Sequence, residues 1–211
     1  FPGGGWVDPA SLCRANIAHA AAALRTHFRG HVARIERRGE NWCADDADGG
    51  VIAEAPVLIL ANAAEAKRFA AAAHLPLRSA RGQVSHLRGD AGSAPEIVVC
   101  RQGYVTPAVD GLRCVGATFG VDDEDATLRE ADHAENLAKL QSILPGYTDN
   151  IALASPSGRV GFRPLAPDRL PMIGAIADAA AIDPTHPSRP LAAIPRVKGL
   201  YLIDGFGSRG I

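Results

Sequence analysis

The stretch at residues 199–211, GLYLIDGFGSRGI, places an apolar strand directly before a glycine-spaced loop. Gly205, Gly207 and Gly210 satisfy the spacing G-x-G-x-x-G, which lets the backbone of dinucleotide-binding proteins approach a pyrophosphate at a helix N-terminus. That use needs a following helix and an acidic residue about 20 positions on, and the sequence supplies neither before it stops at Ile211. We therefore expect these glycines to serve another purpose, which the rest of the sequence indicates.

The composition is that of an ordinary globular protein. The 211 residues are 47% hydrophobic and 21% charged, enough for one large domain or two small ones. No run approaches the roughly 18 apolar residues of a membrane span, and the first residues lack the features of a signal peptide, so we expect a cytoplasmic protein. The net charge of −1 argues against a broad nucleic-acid-binding surface. The missing initial Met and the abrupt end suggest a piece of a longer protein.

The four cysteines are far apart in the sequence and form no C-x-x-C pair: Cys13, Cys43, Cys100 and Cys114. This spacing indicates neither a zinc site nor a disulfide framework. We therefore expect four reduced thiols in the core, and we predict no metal site.

The first third of the sequence alternates helix and strand patterns. Asp8 followed by Pro9 predicts a helix start, and apolar residues keep near-helical spacing over 9–28. Strands are expected at 31–37, 41–44 and 56–61, and the continuous apolar run of the last is typical of a strand buried on both faces. A helix over 63–73 should follow. This order favours part of an α/β layer domain.

The character of the sequence changes after Pro76. Short strand patterns separated by Gly and Pro turns predict an antiparallel sheet, at 83–87, 96–100, 103–106 and 112–117. An amphipathic pattern predicts a helix over 127–144. The acidic run at 122–125 is interpreted as a solvated turn before that helix, whose N-terminus favours negative charge. An irregular Pro-rich loop at 183–195 leads to the last strand, 200–204.

Three segments carry a resemblance to a known family: GYVTPAVDGLRCVGAT at 103–118, GRVGFRPLAPDRLPMIG at 158–174 and the terminal GFGSRGI. In this order and spacing they resemble the amine-oxidising flavoproteins of the D-amino-acid oxidase and glycine oxidase superfamily. Finer details are LP at 75–76, RGQVSH at 81–86, LPM at 170–172 and GSRG at 207–210. These are similar to the FAD-dependent oxidoreductase domain of bifunctional tRNA-modification proteins. The resemblance runs from residue 4 to the end.

The resemblance implies a mixed α+β or α/β fold of the glycine oxidase type, a truncated FAD-binding α/β domain with an inserted antiparallel substrate domain. Residues 1–77 would be part of the FAD-binding domain, whose first βαβ unit is missing. Residues 78–160 would form the inserted domain. Residues 161–211 would return to the FAD-binding domain and end at a loop that faces the flavin.

The resemblance also implies a set of FAD-binding residues: Ala61, Asn62, Gln83, Gly207, Ser208, Arg209 and Gly210. In the terminal loop, backbone N–H groups would face the flavin ring, and glycine allows that close approach. Residues 61–63 lie where relatives commonly have Ala-x-Gly beside the cofactor. Ala63 departs from that pattern by one methyl group.

Three residues match family positions in contact with substrate or flavin: Arg163, Tyr104 and Arg209. Arg163 would hold the substrate carboxylate through two parallel hydrogen bonds; the alternative is a structural arginine tied to an acid such as Asp168. Tyr104 would lie beside that carboxylate, unless it is an ordinary half-buried strand tyrosine. Arg209 faces the flavin or substrate in one interpretation and merely belongs to the loop in the other.

Other charged residues have a weaker functional interpretation. His86 alternates with Val84 along one strand and is interpreted as structural. Four arginines could line a path for an RNA phosphate: Arg78, Arg81, Arg88 and Arg101. Exposed aromatic residues are not interleaved with them, so a solvated surface is the preferred interpretation.

The function implied by the resemblance is FAD-dependent removal of the carboxymethyl group from carboxymethylaminomethyl-uridine at the tRNA wobble position. The products would be aminomethyl-uridine and glyoxylate, and the partners would be tRNA and a methyltransferase domain of the same parent chain. One alternative is an oxidase of a free small amino acid such as glycine or sarcosine. Another is a folded remnant that is inert without its main cofactor anchor.

Overall fold

The computed structural model describes residues 5–88, 95–147, 157–183, 185 and 190–208. In chain order its strands and α-helices are α1 (Pro9–His19), β1 (Arg34–Arg38), β2 (Asn41–Asp45), β3 (Val51–Ala55), β4 (Leu58–Leu60), β5 (Arg78–Arg88), β6 (Val99–Cys100), β7 (Tyr104–Val105), β8 (Leu112–Gly116), β9 (Gly120–Val121), α2 (Glu130–Ile143), β10 (Ser157–Leu165), β11 (Met172–Ala177) and β12 (Arg196–Asp204). The chain divides into two compact units. The first unit is Phe1–Thr26 with Arg81–Phe162, and the second is His27–Ala80 with Arg163–Ile211.

The second unit contains two three-stranded sheets. One is antiparallel with the order β1-β2-β3, and the other has the order β11-β12-β4, in which β12 runs antiparallel to β11 and parallel to β4. The Trp42 indole N–H of β2 donates to the Lys198 carbonyl of β12 at 3.0 Å and so joins the two sheets. Gly199 fits beside this contact with φ +75°, where a side chain would meet the Pro56 carbonyl and the indole.

The core of the second unit is built from alternate residues of these strands and from the segment after β4. Leu200 and Leu202 are buried on the same face of β12, together with Trp42, Leu60 and Phe69. Because burial of apolar surface is the main stabilising contribution in folding, this cluster fixes the position of both sheets.

The first unit contains the sheet predicted after Pro76. Its strand order is β10-β5-β8-β7-β6, with β9 also paired to β5, and the pairs β5–β8, β8–β7 and β7–β6 are antiparallel. Helix α2 packs on this sheet through Leu140, which is fully buried with Leu87, Val105 and Val115. The predicted antiparallel sheet and its helix are therefore confirmed, although the predicted 96–100 strand is limited to Val99–Cys100.

Two predicted helices are shorter or of another type. Asp8 does cap α1, and its carboxylate accepts the Ser11 N–H at 2.6 Å, but the helix ends at His19 instead of residue 28. Leu24 and Phe28 are 43% and 71% exposed, so the predicted continuation has no packed face to stabilise it. The predicted helix over 63–73 is instead two 3₁₀ segments, Ala63–Arg68 and Ala70–Ala72, because Ala63 is left-handed and Phe69 is extended.

Two further expectations need correction. The strand pattern at 56–61 gives β4, but Ile59 is 52% exposed, so β4 is not buried on both faces in the described residues. Among the cysteines only Cys43 is buried, whereas Cys13 and Cys100 are exposed. The described residues include no helix that is long and apolar enough to cross a membrane. In the same part of the chain, no His, Cys, Asp or Glu cluster could hold a metal ion.

Candidate active site

The carboxyl ends of two parallel strands form one edge of the second unit. Leu60 of β4 is paired with Leu202 of β12, so Asn62 and Asp204 each lie two residues beyond a paired position. Ligands of α/β proteins bind at the carboxyl ends of parallel strands, where loops leave the sheet. We call Ala61–Ala63 and Asp204–Ser208 the carboxyl edge. It contains four of the predicted cofactor-binding residues: Ala61, Asn62, Gly207 and Ser208.

The first half of the carboxyl edge has an unusual backbone. Asn62 has φ −107° and ψ 30°, and Ala63 follows with φ +57°, in the left-handed region. A left-handed alanine costs about 1–2 kcal/mol that a glycine would not. A residue near the bridge region followed by a left-handed one can turn successive N–H groups toward the same side, as in concave backbone sites that bind anions. The methyl group of Ala63 therefore lies at a strained backbone position. Strain of this kind is common where a backbone contacts a ligand.

A cavity of about 420 Å³ opens beside Asn62. Its lining includes Val32 from the segment before β1, and Glu65 and Arg68 from the 3₁₀ segment after β4. Arg68 donates to Glu65 at 2.8 Å, and both side chains are about two-thirds exposed. The cavity is therefore lined by both apolar and charged side chains, and it lies beside the strained backbone at Ala63.

A second cavity, of about 630 Å³, lies along β11 of the same unit. Its lining is mostly apolar and includes Met172 and Leu202. The Arg196 guanidinium also lines it, but its Nη1 donates to the Ala175 carbonyl at 2.9 Å. Large cavities with apolar walls and few polar groups are typical of small-molecule sites.

The second half of the carboxyl edge is tied to the end of β10. The Gly207 N–H donates to the Pro164 carbonyl at 2.8 Å, and Phe206 forms an isolated bridge with Leu165. Gly207 has φ +57°, and a Cβ there would lie 2.8 Å from the Leu165 Cδ2 atom. Arg163 is half-buried and directly precedes Pro164. The glycine-spaced loop is thus hydrogen bonded to the residue that follows Arg163, the predicted substrate arginine.

Asp204 begins this loop with an incomplete set of hydrogen bonds. It is 2% exposed, and its Oδ1 accepts the Gly205 N–H at 2.6 Å. Its Oδ2 is buried and has no hydrogen-bond partner among the described residues. Burial raises the pKa of this carboxyl, against the lowering effect of the Gly205 N–H. The sequence analysis did not single out Asp204.

The two remaining family-matched residues lie elsewhere. Tyr104 is half-buried on β7 in the first unit, with its hydroxyl 3.9 Å from the Cys114 sulfur, whose pKa is raised by burial. Because Tyr104 and Arg163 belong to different units, their shared substrate site stays a prediction. Arg209 and Gly210 lie outside the described residues. Asp168, the alternative partner of Arg163, is exposed and accepts the Leu170 N–H at 2.9 Å.

Gln83 belongs to a different kind of site, in the first unit. It is fully buried, its Oε1 accepts the Arg129 N–H at 2.9 Å, and its Nε2 donates to the Arg129 carbonyl at 2.8 Å. Arg81 also donates to Gln83, to the carbonyls of Asp125 and Thr127, and to the Asp132 carboxylate. These contacts give the Gln83 side chain a structural role, and its contact with the cofactor stays a prediction. They also make buried Arg81 unsuitable for binding an RNA phosphate.

We call this arrangement the α2 clasp: Arg81, Gln83, Asp123, Asp125, Arg129 and Asp132. Arg129 binds Asp123 at 2.5 Å and Asp125 at 2.8 Å, just before α2 begins. Hydrogen bonds from Arg129 lower the pKa of Asp123, and hydrogen bonds from Thr127 and Arg129 lower the pKa of Asp125. The acidic run is therefore paired as well as solvated.

A serine and histidine pair that the sequence analysis missed lies next to the clasp. The Ser85 hydroxyl is 2.7 Å from the His133 Nδ1 atom, and the Asn136 amide donates to Ser85 at 3.2 Å. Ser85 is fully buried and His133 is 7% exposed. A nucleophile needs access to its substrate, so we interpret the pair as a link between β5 and α2.

Comparison with known proteins agrees with the resemblance found in the sequence. The model of the family described as FAD dependent oxidoreductase (DAO) matches residues 1–211. A curated relative, the tRNA 5-methylaminomethyl-2-thiouridine biosynthesis bifunctional protein MnmC of Azoarcus sp. (strain BH72), is 53% identical over 211 residues, which is all of this chain and 33% of that protein. The protein of the same name from Aromatoleum aromaticum is 52% identical over 205 residues. The chain thus spans about a third of the length of these relatives.

Solved structures agree in fold. Glycine oxidase from Geobacillus kaustophilus is similar with a TM-score of 0.67 and 22% identity, covering 93% of this chain and 48% of that one. Iminodiacetate oxidase from Chelativorans sp. BNC1 gives a TM-score of 0.66 and 23% identity, covering 95% and 50%. The mixed α/β fold is therefore that of about half of a glycine oxidase chain. The chain belongs to the DAO family of FAD-dependent oxidoreductases.

Proposed function

We propose that this chain is the oxidoreductase part of an enzyme that converts carboxymethylaminomethyl-uridine at the tRNA wobble position into aminomethyl-uridine and glyoxylate. The observation that carries the proposal is the 53% identity, over the whole chain, with a protein named for tRNA 5-methylaminomethyl-2-thiouridine biosynthesis. That relative is bifunctional. We assign the second activity to a methyltransferase domain of the same parent chain, and the cytoplasm as the place of the reaction.

The finer domain organisation is part of the proposal. Residues 1–77 and 161–211 would form part of an FAD-binding domain, and residues 78–160 an inserted substrate domain. The parallel pairing of β4 with β12 and the antiparallel pairing of β5 with β8 support this division, and the compact units differ from it by grouping residues 1–26 with the first unit.

The carboxyl edge fits an FAD cofactor in two respects. The consecutive N–H groups at Asn62 and Ala63 suit a phosphate, since anions bind such concave backbone sites. The cavity of about 420 Å³ beside Asn62 gives room for part of a dinucleotide. A bound FAD would supply the acceptor for the hydride of the carboxymethyl carbon, and hydrolysis of the resulting C=N bond by water would release glyoxylate.

Arg163 is proposed to hold the carboxylate of the carboxymethyl group. A guanidinium matches a carboxylate with two parallel charge-assisted hydrogen bonds and so fixes its plane. The hydrogen bond from Gly207 to Pro164 keeps Arg163 next to the loop that the family resemblance directs at the flavin. A substrate held by its carboxylate would then present the adjacent carbon to the cofactor in one orientation.

The test compares Arg163→Ala, Arg163→Lys and the wild type in the full-length gene product. The substrate is tRNA that carries carboxymethylaminomethyl-uridine, and the readouts are glyoxylate release and nucleoside analysis of the tRNA. Arg163→Ala should lower kcat/KM at least about 30-fold, because a charged substrate group loses its partner. Arg163→Lys should recover only part of this loss, since a lysine lacks the planar fork.

A matched control is Arg14→Ala, because Arg14 is 73% exposed and only 3.9 Å from Asp8 at the surface. It should leave the rate unchanged. Normal turnover by Arg163→Ala would contradict the assignment of Arg163. Faster oxidation of free glycine or sarcosine than of tRNA would replace the proposed substrate with a free amino acid.

A further inference from the structure

Asp204 ends an otherwise apolar row on the core face of β12. Leu200 and Leu202 are buried on this face, while Tyr201 and Ile203 alternate with them and are each 39% exposed. A carboxylate in such a row loses its hydration and needs hydrogen-bond donors in return. Within the described residues it receives one, the Gly205 N–H.

Asp45 shows how this unit satisfies a buried carboxylate. It is fully buried on β2, where Arg38 donates to both of its oxygens and Arg34 donates to Oδ2, at 2.6–3.3 Å. Burial alone would raise the pKa of Asp45, but these hydrogen bonds outweigh that effect and lower it. Within the part of the chain that the structure describes, no arginine donates to Asp204, and its pKa is shifted the opposite way. An unsatisfied buried acceptor in a native fold calls for an explanation, and a ligand that donates a hydrogen bond is one.

A cavity lies next to the neighbours of Asp204. Met172 is its cross-strand partner, and Leu202 precedes it by two residues on the same face. Both line the mostly apolar cavity of about 630 Å³. The carboxyl edge with its strained Ala63 lies at the same end of the strand pair. Two neighbours of Asp204 therefore line a cavity, at the end of the strand pair where the carboxylate lies.

The chemistry of FAD limits which of its groups can hydrogen bond to the Asp204 Oδ2 atom. Its phosphates are excluded because like charges repel at close range. Its donors are the ribityl and ribose hydroxyls, the adenine amino group and the flavin N3–H, and of these a hydroxyl turns most freely toward a buried lone pair. We infer that Asp204 binds FAD by accepting a hydrogen bond at Oδ2 from a hydroxyl of the ribityl chain.

The ribityl chain is chosen over the adenosine ribose because of the loop that follows. Asp204 begins that loop, whose Gly207 is hydrogen bonded to the residue after Arg163. If Arg163 holds the substrate beside the flavin, the hydroxyls nearest to it are those next to the flavin ring. The contact itself rests on the FAD dependence of the family, whereas the choice of the ribityl chain rests on the proposed role of Arg163.

The test uses Asp204→Asn in the full-length gene product, freed of FAD and titrated with it. The substitution keeps the shape, and the retained amide oxygen can still accept the Gly205 N–H while a donor replaces the acceptor at Oδ2. The FAD dissociation constant should rise about 10- to 100-fold, as expected for a hydrogen bond to a charged group. The urea midpoint of the FAD-free protein should stay the same or rise, because a buried unsatisfied carboxylate has been removed.

Asp178→Asn is the matched control, because Asp178 of the same unit also accepts a backbone N–H, that of Ala180 at 3.2 Å. It should leave the FAD dissociation constant unchanged. Unchanged FAD affinity in Asp204→Asn, or a drop in FAD-free stability alongside weaker binding, would overturn the inference.

Competition with ADP, which has a ribose but no ribityl chain, separates the two kinds of hydroxyl. The ADP inhibition constant should be the same for Asp204→Asn and the wild type. If Asp204→Asn weakened ADP binding as much as FAD binding, the contact would be with the ribose, and the ribityl assignment would be wrong. None of these readouts depends on which amine the enzyme oxidises, so a failure here is distinct from a failure of the proposed tRNA activity.

Discussion

The α2 clasp and the carboxyl edge both contain buried polar groups, but they satisfy them differently. In the clasp, Arg81 is 2% exposed and donates to two carbonyls, an amide oxygen and a carboxylate. At the carboxyl edge, Asp204 is equally buried, yet one of its oxygens has no partner in the described residues. Ala63 is left-handed at that edge, and Asp122 is left-handed beside the clasp, but aspartate tolerates this conformation better than alanine does.

The difference separates structural from ligand-binding chemistry. A polar group whose partners are all within the fold stabilises that fold. A buried acceptor without a partner, combined with a strained backbone at the same sheet edge, makes that edge a candidate for ligand contact. The comparison therefore directs the search for the cofactor to the carboxyl edge and away from Gln83.

The largest expected effect concerns the clasp. Arg81→Met should destabilise the full-length gene product by about 3–5 kcal/mol, because it leaves the Asp132 carboxylate and two carbonyls without their buried partner. Urea unfolding followed by circular dichroism measures the loss. Arg68→Met is the control, since its pair with Glu65 is exposed, and it should cost less than about 1 kcal/mol. A loss of under 1 kcal/mol for Arg81→Met would contradict the structural role of the clasp.

Acid should weaken the clasp before the core. The pKa values of Asp123 and Asp125 are lowered in the folded protein, so their contribution to stability is complete above the ordinary value of 3.8. It is lost as the pH falls below 3.8 and through their folded values. Urea midpoints between pH 6 and 2 measure this for the wild type and for a variant with Asn at both positions. The variant should show a smaller loss in acid, and parallel curves would refute the prediction.

Asp204 should have the opposite pH dependence. Its pKa is raised in the folded protein, so its protonated form is favoured there, and stability is lost as the pH rises from 3.8 through the folded value. In FAD-free protein, Asp204→Asn should therefore gain stability over the wild type at pH 7 and lose that advantage in acid. The same urea series measures it, and an advantage that grows in acid would be inconsistent with an unsatisfied carboxylate.

The smallest expected effect is at Ala63. Ala63→Gly should stabilise the protein by about 1 kcal/mol, since relief of the left-handed strain exceeds the entropy that glycine adds to the unfolded chain. Thermal unfolding is sufficient to detect the shift. Ala70→Gly tests the same chemical change in an exposed 3₁₀ segment without positive φ and should be destabilising. Equal effects at both positions would remove the case for strain at Ala63.

Much of this organisation could be predicted from the sequence because it depends on local patterns. Asp8 and Pro9 marked the start of α1, and Gly and Pro turns marked the short strands of the first unit. The departure at Ala63 was visible because its neighbours match a family pattern. Strands β10 and β11 were not predicted, because glycine and proline within them weaken any strand signal.

The carboxyl edge could be predicted only in part. Gly207 was visible as a loop glycine, but its hydrogen bond to Pro164 joins residues 43 positions apart in the chain. In the sequence, Asp204 resembles an ordinary acid at the end of a strand, since neither its burial nor its missing partner has a local signature. Gln83 was assigned to the cofactor because its partners, Arg81 and Arg129, become evident only in the folded clasp.

The most direct test of this comparison is hydrogen exchange of the full-length gene product with and without FAD. We predict that FAD slows exchange in peptides covering residues 61–65 and 204–208, because bound FAD would contact the backbone at Ala63 and the carboxylate of Asp204. Peptides covering residues 81–83 and 129–132 should exchange at the same rate in both states, because the clasp is already satisfied. Slowed exchange in the clasp without any change at the carboxyl edge would contradict the account.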